Sequence, residues 1–274
     1  VEYGVTATSG FVYFDRGMYK RSIDLYLSYL SRDNLDRSLV ITSNLGLSYL
    51  ALGKFDSARE MLLEKYHQDL EQFTQDRSNV NRIELSNTHA NLIQLYLATK
   101  NFERAEYHYS EALRLLFEVD DGGKLPRFAE IFSKKAKIEK GLGDTKSCIF
   151  YLEKAIQIVA PELKKSVIDE EISIIGPFKQ VLEIIAFRVQ VLTSQGEYEA
   201  ALADVMLLNR LVTQSRRTYQ SSLSKYYLIQ EVMPVYELGI QLNQRLYGQT
   251  GDTKYLEQAY ALNARNKAIL LLES

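Results

Sequence analysis

Asn91–Ala112, NLIQLYLATKNFERAEYHYSEA, decides the fold. Leu92, Tyr96 and Leu97 recur at helical spacing before a short break at Thr99–Asn101; Phe102, Ala105, Tyr109 and Ala112 do so after it. Residues three and four apart share one face of a helix, so the break divides two amphipathic helices whose apolar stripes can fold onto each other.

The same pair recurs along the chain at fixed distances. Ile93 stands 12 residues before Ala105, and Ala112 follows 7 later. The same 12 and 7 separate Gly46, Ala58 and Lys65; Ala136, Cys148 and Ala155; Val189, Ala201 and Leu208; and Gly10, Ser22 and Tyr29. Small side chains at these places let two helix axes approach to the near end of the roughly 8–10 Å packing range. Seven residues after the first small residue come Gly17, Gly53, Gly143 and Gly196, where a left-handed helix cap favours glycine; Lys100 takes that place in the organising pair. Two residues further stand the aromatic plugs Tyr19, Phe55, Phe102 and Tyr198, with Thr145 as the exception. Tyr13, Tyr49 and Tyr96 follow the first small residue by three, and Glu139 replaces the tyrosine in the fourth pair.

With Leu45, Gly46, Tyr49, Gly53, Phe55 and Ala58 as its best copy, the pattern resembles the tetratricopeptide repeat. That resemblance implies an all-α, right-handed superhelical solenoid of five to six antiparallel helix pairs. The anchors Gly10, Gly46, Ile93, Ala136 and Val189 are 36, 47, 43 and 53 apart, so these repeats are longer than the minimum of about 34. Helices are expected near 3–15, 18–31, 35–52, 55–75, 79–99, 102–118, 126–142, 145–159, 177–195, 198–214, 217–247 and 254–273. They form one repeat domain over 1–274, with pairs near 3–31, 35–75, 79–118, 126–160, 177–214 and 217–273. Asp120-Asp121-Gly122-Gly123 reads as a turn, Pro126 suits a first helical turn, and Gly141-Leu142-Gly143 reads as helix punctuation. The stretch 162–176 is the least regular, with Asp169-Glu170-Glu171 as a solvated run and Gly176-Pro177 restarting the helix.

The last pair departs from the template, because Ala259 lies 8 after Gly251 instead of 5. Its text, LYGQTGDTKYLEQAYALNARNKAILLLES, resembles the helical pair that precedes the protease-like domain of CHAT proteins, caspase-like domains associated with tetratricopeptide repeats. The matching positions are Thr250, Gly251, Asp252, Tyr255, Leu256, Ala259, Leu262, Arg265, Lys267, Ala268, Leu271 and Leu272; Ala264 and Asn266 depart. The resemblance implies a cut at Ser274 and a CHAT domain following in cis. None of these 274 residues supplies that domain's strands, His and Cys. The other reading of the ending is an ordinary amphipathic capping helix.

Composition narrows the function. Thirty-three Lys and Arg stand against 35 Asp and Glu, so no bulk field draws nucleic acid or acidic lipid, and no nucleic-acid partner is expected. No apolar run reaches the roughly 18 residues of a membrane span. One cysteine excludes an internal disulfide, and neither it nor Val1 reveals the compartment. Cys148 falls where other pairs carry a small facing residue, so it reads as a buried apolar side chain more readily than as a reactive thiol. His89 and His108 lie on the two helices of one pair and can approach each other, yet a metal would still lack its other ligands. No phosphate-binding glycine loop appears, and neither cofactor, metal nor catalysis is expected.

Binding of a protein or peptide in a concave groove is expected instead. In the tetratricopeptide family the groove-facing positions lie two before and one after the first small residue. That resemblance selects Asn44 and Leu47, Asn91 and Gln94, Lys134 and Lys137, and Phe187 and Gln190, with Asn87 and Lys140 along the same faces. Amides and ammoniums there suit a peptide carboxylate, although the amides and the lysines fall in different repeats. A groove-bound partner would favour one curvature of the array and pass it to an attached domain. The alternative is a stand-alone sensor of a peptide or small ligand that regulates a partner protein.

Overall fold

A computed structural model describes residues 2–31, 39–161, 178–218 and 228–271. Every regular element among them is helical, and they divide into two compact units, Val1–Asp144 and Thr145–Ser274. The division falls inside the expected pair near 126–160.

In the first unit α1 (Glu2–Asp15) pairs with α2 (Tyr19–Leu30), α3 (Leu39–Ala51) with α4 (Phe55–Gln75), and α5 (Asn79–Ala98) with α6 (Phe102–Val119); α7 (Pro126–Leu142) packs on α6. Alternate helices α1, α3, α5 and α7 also touch in turn, so the first helix of each pair stands in one row. The second unit holds α8 (Thr145–Val159), α9 (Phe178–Ser194) packed on α10 (Tyr198–Thr218), a π-helical turn (Leu228–Val232), and α11 (Met233–Thr250) packed on α12 (Lys254–Leu271).

The expected breaks are where the spacing puts them. Gly17, Gly53, Gly143 and Gly196 all have positive φ, and Lys100 is the one non-glycine among the described residues that does, at φ 56°. Each closes its helix with two bonds: Asn101 N–H reaches the Tyr96 carbonyl at 2.8 Å, and Lys100 N–H the Leu97 carbonyl at 3.1 Å. The pairs Lys54 with Tyr49 and Gly53 with Leu50 repeat this geometry.

Close approach at small residues is equally visible. Ser22 Oγ donates to the Gly10 carbonyl at 2.9 Å, joining the two residues the 12-residue spacing relates. A Cβ on Gly10 would lie 2.3 Å from the buried Tyr26 ring, and one on Gly46 2.8 Å from Leu62, one turn past Ala58. Ile93, Ala105 and Ala112 are all fully buried. Tyr26, Tyr29, Ile23, Ile41 and Leu45 form one cluster, with Tyr49 and Met61 against it.

Three expectations change. Gly141 is more than punctuation, because a Cβ there would meet the Phe102 ring at 2.2 Å; the plug of one pair sits on the next helix. Helix α10 continues to Thr218 through the expected break near 214–217, and α11 runs to Thr250 after a π-helical turn and Pro234, instead of ending near 247. The reading of one helix over 217–247, the stretch at 162–176 and the restart at Gly176-Pro177 fall wholly or partly outside the described residues.

Candidate functional site

The row of first helices in the first unit carries most of the groove candidates. Asn44 and Leu47 on α3, Asn87, Asn91 and Gln94 on α5, and Lys140 on α7 are half-buried, whereas Lys137 is exposed. Two of the amides tie the row together. Asn91 Nδ2 donates to Ser43 Oγ at 2.9 Å, linking α5 to α3, and Arg127 donates to Asn87 Oδ1, linking α7 to α5. Position in sequence could select these residues but could not show that their neighbours use them.

Lys134 is buried, with its ammonium 3.3 Å from Glu130 one turn earlier, so it offers less to a ligand than its offset implied. Its neighbour Lys135 is buried too, 2.5 Å from Glu106 on α6 and 2.7 Å from Glu139. Burial opposes the Lys135 charge, yet these two carboxylates outweigh it and raise its pKa. The basic run at 133–140 is therefore partly an inter-helix device, through Lys135, while Lys137 is exposed.

Behind that face, between α4, α5 and α6, lies a polar core that position alone only hinted at. Lys65, at the place where other pairs hold Ala, Leu or Tyr, is ion-paired to Asp69, with 6% and 1% of the two side chains exposed. Thr88 Oγ1 donates to the other Asp69 oxygen at 2.5 Å. Beside it, His89 and His108 do meet, Nδ1 to Nδ1 at 2.8 Å. Burial is the main force that holds His89 down to about 3 and His108 to about 4. His108 and the Arg114 guanidinium add to it at His89, and Arg104 at His108, where Glu111 opposes. Both rings are thus neutral at pH 7, one donating and one accepting. Tyr96 stacks on His108 at 5.3 Å, while Tyr66 and Tyr107 set their edges against both imidazoles. Burial, then the neighbouring Tyr107, raises the Tyr66 phenol.

In the second unit Phe187 is half-buried and Gln190 exposed on α9. Between them Arg188 makes a two-point pair with Asp204 on α10, at 2.6 and 2.5 Å. Burial works against the Arg188 charge, and Asp204 more than offsets it. Cys148 is fully buried, as its facing position implied. Among the described residues no three His, Cys, Asp or Glu gather to hold a metal, and no helix is long and apolar enough to cross a membrane.

The tetratricopeptide-repeat family model matches residues 129–158. The chain carries a tetratricopeptide repeat. Solved structures extend the likeness of fold well beyond those residues. A tetratricopeptide repeat protein from Parabacteroides merdae is 15% identical with a TM-score of 0.51, over 98% of this chain and 83% of that one. PilF of Pseudomonas aeruginosa is 14% identical with a TM-score of 0.51, over 97% and 90%. The Rap conjugation gene regulator of the plasmid pLS20, solved with the Phr* peptide, is 13% identical with a TM-score of 0.60, over 96% and 74%. No curated protein sequence matches the chain. These likenesses establish a helical array built from tetratricopeptide-like pairs.

Proposed function

We propose that the chain is a non-catalytic recognition scaffold that lays a protein or peptide segment along the α3–α5–α7 face. The observation that supports this is the row of first helices, pinned edge to edge by Asn91–Ser43 and Arg127–Asn87; the family offsets assign Asn44, Leu47, Gln94 and Lys137 to its groove side. Such a row offers amide donors, an ammonium and an apolar contact to an extended chain without first having to be ordered. Phe187 and Gln190 are the corresponding candidates in the second unit. A variant carrying Gln94→Ala and Lys137→Glu is expected to lose at least tenfold in partner recovery from crosslinked pull-downs. Equal recovery would sink the role of this face.

The finer reading places this scaffold before a CHAT peptidase-like domain in a longer protein, which it targets or restrains. It rests on the residues of α11 and α12 named above, Thr250-Gly251-Asp252 and Tyr255, Leu256 and Ala259 among them. Reading the gene past Ser274 tests it: strands bearing a His and a Cys support it, and an early stop codon removes it while leaving the peptide face intact.

A second reading is favoured by the likeness to the Rap regulator, a protein solved with a bound peptide. In that reading the array is a stand-alone sensor of a peptide or small ligand, and its occupancy changes its association with a partner protein. The same stop codon would support this version.

A further inference from the structure

We propose that His89 and His108 form a two-nitrogen site for a soft, singly charged d10 cation, with Cu(I) as the physiological ion. The geometry points there first. The two Nδ1 atoms are 2.8 Å apart and the ring centres 5.0 Å, a difference of 2.2 Å that is close to twice the span from ring centre to ring nitrogen. The nitrogens therefore lie nearly on the line joining the rings, and their lone pairs point at each other. One proton now occupies that line. Its transfer to Nε2 of the same ring leaves two facing lone pairs and releases no net proton.

Two opposed imidazoles give linear coordination, which satisfies a closed-shell monovalent ion. Zinc asks for about four donors, and Cu(II) prefers a square-planar or tetragonal set. No three-ligand group exists among the described residues to complete either. Charge selects in the same direction. The guanidinium of Arg114 acts on His89 and that of Arg104 on His108, where Glu111 compensates in part, while Tyr66 of α4 meets the pair edge-on and Tyr96 of α5 stacks on His108. That surrounding opposes added positive charge, and opposes two charges more strongly than one. With metal–nitrogen bonds of about 2 Å, the nitrogens need part by only about 1 Å, within reach of ring rotation. Tyr107, 56% exposed, sets its ring edge-on to both imidazoles, so the pair lies one ring from solvent.

The test uses the full chain with Cys148→Ala, so that no thiol competes. Under argon, the protein is titrated into the coloured Cu(I)–bicinchoninate complex, and loss of colour reads the copper withdrawn. One equivalent is expected, with affinity flat from about pH 6 to pH 8 because no net proton leaves. His89→Gln and His108→Gln are each expected to weaken binding at least tenfold, and His67→Gln to leave it unchanged. No withdrawal, or withdrawal that survives both changes, overturns the site. Should either variant lose its helical circular dichroism, Ag(I) added to the 15N-labelled Cys148→Ala protein decides: both Nδ1 resonances shift at one equivalent if the site exists, and neither shifts if it does not.

Discussion

The pairs α5–α6 and α11–α12 share an antiparallel plan and hold it by different means. Between α5, α6 and the preceding α4, polar groups are buried and matched: Lys65 to Asp69, Thr88 to Asp69, His89 to His108. Around α11 and α12 no buried ion pair appears among the described residues; Tyr236 and Arg265 share the Asn209 amide oxygen of α10, and close approach does the rest. Gly239 lets α11 settle so closely that an added Cβ would lie 2.6 Å from Val205 of α10 and 3.0 Å from Leu262 of α12. Removing one partner should therefore injure the first region through stranded charge, and adding one carbon should injure the second through overlap.

The largest effect is expected at Asp69. Asp69→Ala leaves the Lys65 ammonium buried and the Thr88 hydroxyl without its acceptor, a loss of about 3–5 kcal/mol in urea unfolding. Asp204→Ala strands Arg188, but 19% of that side chain reaches water, so about 2–3 kcal/mol is expected there. A loss under about 1 kcal/mol at Asp69 would show that its burial is relieved by solvent.

Acid sharpens the contrast next. His89 and His108 have folded pKa values below that of a free imidazole, so the unfolded chain takes up protons first as pH falls. Their contribution is complete above about pH 6.5 and is lost as pH falls toward 4, the larger share through His89. Replacing His89 and His108 together with Gln should flatten that slope. Local unfolding followed by amide exchange should show the α5–α6 pair opening with acid while α11–α12 responds less.

At Gly239 the expected change is smaller. Gly239→Ala should cost about 1–3 kcal/mol, because Val205 and Leu262 must both give way. Gly248→Ala, on the same helix with nothing within 4 Å, should instead add about 0.5–1 kcal/mol through lower unfolded-state entropy and better helix propensity. Opposite signs in one helix would establish that overlap, not backbone preference, is at work.

Much of this was legible beforehand. The 12-residue spacing of small residues and the glycines seven further on reported the pairing, since backbone approach and a positive φ each leave few side chains to choose from. Lys65, where other pairs hold Ala, Leu or Tyr, was a signal of a buried charge, and Asp69 lies one turn on along the same helix; the Thr88 bond to Asp69 could be found only with α4 and α5 in register. Gly239 was missed because the template put the glycine of the last pair at Gly251 and sought no second one 12 residues earlier. The groove candidates were legible as positions. That Asn91 reaches Ser43, and that Lys134 turns back to Glu130, depends on side-chain directions that spacing does not carry.

The smallest effects lie in the turns, and they separate the first pairs from the last once more. Lys100 adopts φ 56° where four other turns use glycine, and its closure by Asn101 and Lys100 N–H groups is the same as theirs. A side chain in that region costs about 1–2 kcal/mol, part of which returns because glycine loses more freedom on folding. Lys100→Gly should therefore stabilise the chain by about 0.5–1 kcal/mol, and Gly53→Ala, at φ +70° with open space around it, should destabilise by about 1 kcal/mol. At Gly251 a single bond to the Tyr247 carbonyl ends the helix, and Asp252 then caps the next one by accepting from Lys254 N–H. That looser closure can shift without breaking a second bond, so Gly251→Ala should cost less than Gly53→Ala despite an identical φ. Equal losses would mean that the dihedral alone sets the cost and the number of closing bonds does not.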